Sequence, residues 1–184
     1  MQQPTVNTHR ARRLTRARLL DGVDALSAAD PDLAIVVARF GPPPLWARPP
    51  GFATLVQIVL EQQVSLASAR ATFKRLRDTC GEVTPERFAT LTPSQVQSAG
   101  VTRQKTGYCL GIARQIVDGT LDLRRLGRAR DDEARRRLVE IRGVGPWTAD
   151  IYLLMALGRP DIWPDGDLAL ATAAQQVKRL RRRP

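Results

Sequence analysis

Apolar residues recur at three- and four-residue intervals along most of this chain, the spacing of one face of an α-helix. Strand signals are nearly absent, and no Asn-Gly or Asp-Gly pair joins two alternating apolar runs. The pattern predicts helices over residues 14–28, 31–40, 52–63, 66–79, 85–91, 93–99, 103–119, 131–142, 146–157 and 168–180. Several helix starts are chemically explicit. Asp30-Pro31, Thr84-Pro85 and Thr92-Pro93 each set a capping side chain before a proline at the first helical position. Residues 131–142 open with acids and close with basic side chains, which suits the helix dipole. Residues 41–51 are proline-rich, carry Trp46 and read as a rigid connector. The expected class is all-α, an orthogonal array of short helices and not a long bundle, in a single domain over 1–184. Residues 1–13 are expected to form a mobile tail, and His9 within it is given no role.

Charge narrows the partners. Lys and Arg number 29 against 18 Asp and Glu, a formal net charge of +11. Such a field favours a polyanion, nucleic acid before an anionic membrane surface. Part of the excess sits near the ends, in residues 10–18 and 178–183, where it can simply be solvated. No apolar run is long enough to span a membrane, and no apolar stretch with a cleavage site opens the chain. The expected location is therefore the cytoplasm, in association with nucleoid DNA and with no membrane partner. The two cysteines, Cys80 and Cys109, lack CxxC spacing, which argues against a zinc site or an iron–sulfur cluster. They allow one disulfide; two buried thiols are the expectation.

The densest chemistry lies in residues 138–168. In Ile141-Arg-Gly-Val-Gly-Pro-Trp-Thr-Ala149 a helical pattern breaks at Gly143-Val144-Gly145, and a new helix starts at Pro146. Glycine lets a phosphate approach the backbone closely. The free N–H groups of the new helix's first turn point at the mouth of that turn. A hairpin over residues 131–157 would thus grip a nucleic-acid phosphate through Gly143, Val144, Gly145 and Thr148, without reading sequence. A plain αα-turn with a glycine cap is the simpler alternative, and a bare GxG does not separate the two. The flanking helices, the apolar pins Ile141 and Val144 and the basic chain favour the phosphate grip.

A second feature follows within twenty residues or so. Asp165-Gly166-Asp167 comes after Trp163-Pro164, and Asp167 directly precedes Leu168-Ala-Leu170 as a helix N-cap would. Held beside bound DNA, the Asp167 carboxylate would stabilise positive charge at C1′ as an N-glycosidic bond breaks, or orient the attacking water. Asp165 is a secondary candidate. Metal-dependent nuclease chemistry wants clustered acids, and the chain offers only this one convincing site.

Four segments now stand in order: Leu60-Glu-Gln-Gln-Val-Ser65, Ala99-Gly-Val-Thr-Arg-Gln-Lys105, Ile141 to Ala149, and Pro164 to Leu168. Together they resemble the helix-hairpin-helix DNA glycosylase superfamily, and most of all its 3-methyladenine DNA glycosylase II branch. The resemblance covers residues 40–175 or so. It implies a two-lobed all-α body with a cleft between lobes. It implies a hairpin that binds the DNA backbone, often with a monovalent cation at hairpin carbonyls, here those of Ile141 and Val144. No other cofactor is implied, since the cysteine set of the iron–sulfur relatives is missing. The family's essential aspartate matches Asp167. Its lyase members carry lysine where Trp147 stands, and tryptophan cannot form a Schiff base with C1′. The chain therefore looks monofunctional, with Trp147 lining the base pocket as in the alkylation-repair branch. Gln62 and Gln63 match the segment that enters the minor groove, with Gln63 as the wedge.

These implications describe a monomeric DNA repair glycosylase. It would flip alkylated, 3-methyladenine-like purines out of double-stranded DNA and hydrolyse their N-glycosidic bond. Such purines are cationic and leave readily, so one carboxylate and an aromatic face suffice; stacking on Trp147 would add about 0.5–2 kcal/mol. The alternatives are a catalytically inactive or truncated helix-hairpin-helix DNA-binding paralogue, and a glycosylase for a different damaged base. Individual residues have plainer roles as well. Trp147 can pack between hairpin and core, Tyr152 and Trp163 read as core or lobe-interface residues, and Gln62 and Gln63 can be a polar helix end. Arg103 and Lys105 read as contacts to solvent or phosphate. Two departures accompany the resemblance. Nothing ahead of the first helices corresponds to the β-rich domain of some relatives. Where relatives continue into a further aromatic and basic helix, this sequence reads Arg181-Arg-Arg-Pro184, so a missing pocket wall and weaker activity are expected.

Overall fold

The computed structural model describes residues 13–184, so the expectations for residues 1–12, His9 included, lie outside the described residues. Among the described residues all regular structure is helical. The helices are α1 (Arg16–Ala29), α2 (Pro31–Phe40), α3 (Phe52–Glu61), α4 (Leu66–Cys80), α5 (Pro85–Ala89), α6 (Pro93–Ser98) and α7 (Arg103–Val117). They continue as α8 (Leu123–Leu126), α9 (Asp131–Val139), α10 (Pro146–Ile151) and α11 (Leu168–Val177), with a π turn at Tyr152–Ala156. The starts legible in the sequence are real caps. Asp30 accepts from the N–H groups of Asp32 and Leu33, Thr84 from Arg87, and Thr92 forms a reciprocal capping box with Gln95.

Helix α3 organises the main core. Eight of its ten residues are buried, the mark of a helix surrounded by others. It packs against α4, α7, α10 and the π turn. Phe52 meets Phe88 of α5 edge-on, with ring centroids 5.5 Å apart. Helices α1, α2 and α11 form a thinner group: α1 buries only Val23, while α2 and α11 bury no residue. Polar contacts hold this group in place. Lys178 at the end of α11 meets the carboxylates of Asp30 and Asp32 at 2.6 and 3.0 Å.

The proline-rich connector is pinned to the core and not merely stiff. The Arg48 N–H donates to the Met155 carbonyl at 2.8 Å. The Gly51 N–H donates to the hydroxyl of Tyr152 at 3.0 Å, which satisfies that fully buried side chain. Tyr152 is thus a core residue, as expected. Cys109 is buried, and burial pushes its thiol up to about 12. Cys80 is only half-buried, so the expectation of two buried thiols holds for Cys109 alone, and neither is in a disulfide.

Boundaries differ where backbone geometry intervenes. The helix expected over 146–157 splits, because the Leu157 N–H bonds the Tyr152 carbonyl, five residues back, at 3.1 Å. That expected over 131–142 stops at Val139, and the one over 52–63 stops at Glu61 ahead of Gln63, whose φ is +56°. Helix α8 was not legible: four residues are too few for periodicity, and its cap, Asp122, precedes no proline.

Candidate nucleic-acid interface and active site

The hairpin is built from α9, the turn and α10, and its two arms are clamped together. Arg135 of α9 donates through Nε and Nη2 to the two carboxylate oxygens of Asp150 in α10, at 2.6 and 3.0 Å. The Asp150 side chain is 2% exposed and that of Arg135 39%. Removing the arginine would strand a buried charge, while removing the acid leaves a cation that water can reach. Arg135→Ala should therefore cost about 3 kcal/mol in urea unfolding and Asp150→Ala about 1 kcal/mol. Equal losses would mean that the pair does not bury its acid.

Within the turn, Ile141 and Val144 are buried pins at 5% and 3% exposure. Gly143 takes φ +92°, and a Cβ there would run into the ring of Tyr108 from α7. Gly145 is half-buried with nothing within 4 Å of a Cβ position, so its open side faces outward. Pro146 starts α10, leaving the N–H groups of Trp147 and Thr148 without partners in the helix. Arg142 is exposed at the tip, a cation the sequence did not single out. The Ile141 carbonyl accepts the Val144 N–H at 2.9 Å and keeps a free lone pair, and among the described residues the Val144 carbonyl accepts nothing. Both oxygens thus keep lone pairs of the kind a monovalent cation binds.

Two expected contacts need correction. Thr148 is 2% exposed and its hydroxyl accepts from Gln62 Nε2 at 2.9 Å. Only its backbone N–H is left for a phosphate. Gln62 is not a wedge either, because the same amide also donates to the Gly143 carbonyl at 2.9 Å and so faces inward. Gln63 is the exposed member of the pair, on a left-handed backbone. Sequence spacing could not assign these faces, because the helix ends between them.

Asp167 does cap α11: its Oδ1 accepts the Leu170 N–H at 2.9 Å. Its other oxygen, Oδ2, accepts the indole N–H of Trp147 at 2.9 Å. Burial pushes this carboxyl up. The bonds from Trp147, Leu170 and Ala169 together outweigh burial and hold it below its usual value, so it is an anion throughout the neutral range. Its contribution to stability is present above the unfolded value and is lost as pH falls through the folded one. Asp167 borders an open depression of about 300 Å³ with Trp163, Leu168 and Ala171 among its walls. Trp163, expected in the core or at the lobe interface, is 59% exposed and belongs to this depression. Asp165 is exposed and takes no part in these bonds. The larger groove of about 1590 Å³ runs beside α8 and the start of α9 and includes neither Asp167 nor the hairpin turn.

The Trp147–Asp167 bond joins residues twenty apart, and no spacing rule announces it. Trp147→Phe keeps an aromatic face and deletes the donor. The carboxyl of Asp167, followed by carbon-detected NMR, should then titrate at higher pH than in the parent chain. An unchanged midpoint would show that the indole N–H does not support the anion.

The DNA-3-methyladenine glycosylase of Bacillus subtilis is 31% identical over 171 residues, 86% of this chain and 56% of its own length. A crystal structure of DNA-3-methyladenine glycosidase from Bacillus halodurans matches with a TM-score of 0.71 at 29% identity, covering 84% of this chain and 72% of that one. A 3-methyladenine DNA glycosylase of Schizosaccharomyces pombe, solved with abasic DNA, shares the fold: TM-score 0.81 at 24% identity, over 89% of this chain and 83% of that one. The chain spans about half the length of the curated relatives it matches. The family described as HhH-GPD superfamily base excision DNA repair protein matches residues 56–184, the stretch that runs from the middle of α3 through the hairpin and Asp167, and the chain belongs to that family.

Proposed function

We propose that this chain is a monofunctional DNA glycosylase that releases alkylated purines of the 3-methyladenine type from duplex DNA. One observation carries the reading: a carboxylate, Asp167, at the rim of an open depression, held as an anion by the Trp147 indole together with the N–H groups of Leu170 and Ala169. A flipped, cationic purine enters beside Asp167 and stacks on the exposed part of the Trp147 ring, which otherwise packs against the core and lies outside the walls of the depression. The C1′–N bond breaks with its electron pair leaving on the purine, which becomes neutral. Asp167 stabilises the positive charge that develops at C1′ and the ring oxygen. Water adds to C1′ and loses a proton, leaving an abasic sugar. The side chain at position 147 has no amine, which supports hydrolysis without a Schiff base or strand cleavage.

The hairpin holds a phosphate through the N–H groups of Trp147 and Thr148 and the open side of Gly145. A monovalent cation on the Ile141 and Val144 carbonyls would supply positive charge to the same phosphate. The names of the bacterial relatives support an alkylated-base substrate. The test is a duplex with one alkylated purine. After incubation the strand should break at that position with alkali and stay whole without it, and borohydride should trap no covalent complex. Breakage without alkali would overturn the monofunctional assignment. A strand that alkali leaves whole would overturn the glycosylase assignment.

A further inference from the structure

Helix α3 ends abruptly. Gln63 turns left-handed at φ +56°, and such a turn leaves the last carbonyls of a helix without N–H partners. Lys105, reaching across from α7, takes two of them. Its ammonium donates to the Leu60 carbonyl at 2.9 Å and to the Gln62 carbonyl at 2.7 Å. A cation at the C-terminal end of a helix also meets the favourable end of the dipole. This overturns the expectation that Lys105 contacts solvent or phosphate.

The same turn is tied to the hairpin. Gln62 Nε2 donates to the Gly143 carbonyl and to the Thr148 hydroxyl, both at 2.9 Å. Tyr108, three residues after Lys105 and so on the same face of α7, lies against Gly143. Gln104 braces the Tyr108 hydroxyl at 2.7 Å. One face of α7 therefore touches the exposed turn and the hairpin at once.

We propose that Lys105 is a positioning residue that fixes the turn carrying Gln63 relative to the phosphate-gripping hairpin, so that backbone binding and entry into the duplex occur in one register. The proposal rests on the glycosylase reading above. Lys105 itself touches neither base nor sugar; it acts through the carbonyls of Leu60 and Gln62.

Lys105→Met removes the donors and keeps an unbranched side chain, and Lys105→Arg restores donors. One readout is the fluorescence of 2-aminopurine beside an abasic analogue in a duplex saturated with protein. The parent chain should raise it, Lys105→Met should raise it much less at an affinity within about twofold, and Lys105→Arg should recover part of the rise. Base release from a normally stacked lesion should fall about tenfold, the size of one charge-assisted hydrogen bond. Release should change less than about twofold when the lesion faces an abasic gap, where little unstacking is needed. Combined with Gln63→Ala, Lys105→Met should add nothing further to the loss. A parent-like fluorescence rise, equal losses on both substrates, or additive losses would each overturn the proposal. If the fluorescence pattern holds while neither substrate loses its base, the hydrolytic reading fails and the positioning role stands.

Discussion

Asp167→Asn should lower the single-turnover rate of base release by at least about 10²–10³-fold, the usual loss when a preorganised electrostatic group is removed. The fold should lose far less. Asparagine is as good an N-cap as aspartate, and its Oδ1 can keep the Leu170 N–H that Asp167 now holds. Its Nδ2 then faces the indole N–H of Trp147, which loses its acceptor at a cost of about 1 kcal/mol. The melting temperature should fall by about 2–4 °C, the shift that loss makes in a domain of this size. That split separates chemistry from capping, the two roles that an aspartate before Leu168 offers. Asp167→Ala is the control: it removes the cap as well as the indole's acceptor and should cost about 2 kcal/mol of stability besides the activity. Release by Asp167→Asn within tenfold of the parent chain would reduce Asp167 to a cap.

The hairpin glycines should divide in the same way, between stability and binding. Gly143→Ala must place a methyl group where the Tyr108 ring sits, on a backbone at φ +92° that alanine resists. Overpacking of this kind costs about 1–3 kcal/mol and the backbone about 1–2 kcal/mol more. The midpoint of thermal unfolding should fall by roughly 5–15 °C. Gly145 has φ −83° and open space around it, so Gly145→Asp should fold normally. A negative charge there would face the bound phosphate. Binding to undamaged duplex should weaken, and the slope of log affinity against log salt should flatten by about one. A stable Gly143→Ala protein would place Tyr108 wrongly. Unchanged binding by Gly145→Asp would remove the hairpin from the DNA interface.

Much of this was legible in the sequence because it is local. Caps followed by proline at Asp30, Thr84 and Thr92 announce their helices, and two glycines between apolar pins announce the hairpin. Asp167 stands beside the helix it caps, so its place could be read without knowing what surrounds it. What was not legible depends on which face each side chain presents. Gln62 and Gln63 are neighbours, yet one is drawn into the hairpin and the other is exposed, because the backbone reverses at Gln63. Trp163 follows an apolar pattern and is nevertheless exposed, since α11 buries nothing for it to join. Lys105 shows the same limit from the other side. In a chain of charge +11 a lysine on a polar helix face reads as a contact to solvent or phosphate. Only the stranded carbonyls at the end of α3 give it a partner.

A glycosylase built this way must release its alkylated purine as a free base. Mass spectrometry of the bases released from methylated duplex DNA detects that product, with binding to the same duplex checked in parallel. The expected result is 3-methyladenine as a free base in the supernatant, accumulating with time and depending on Asp167. Bound DNA with no base released, or release of unmodified bases alone, would contradict it.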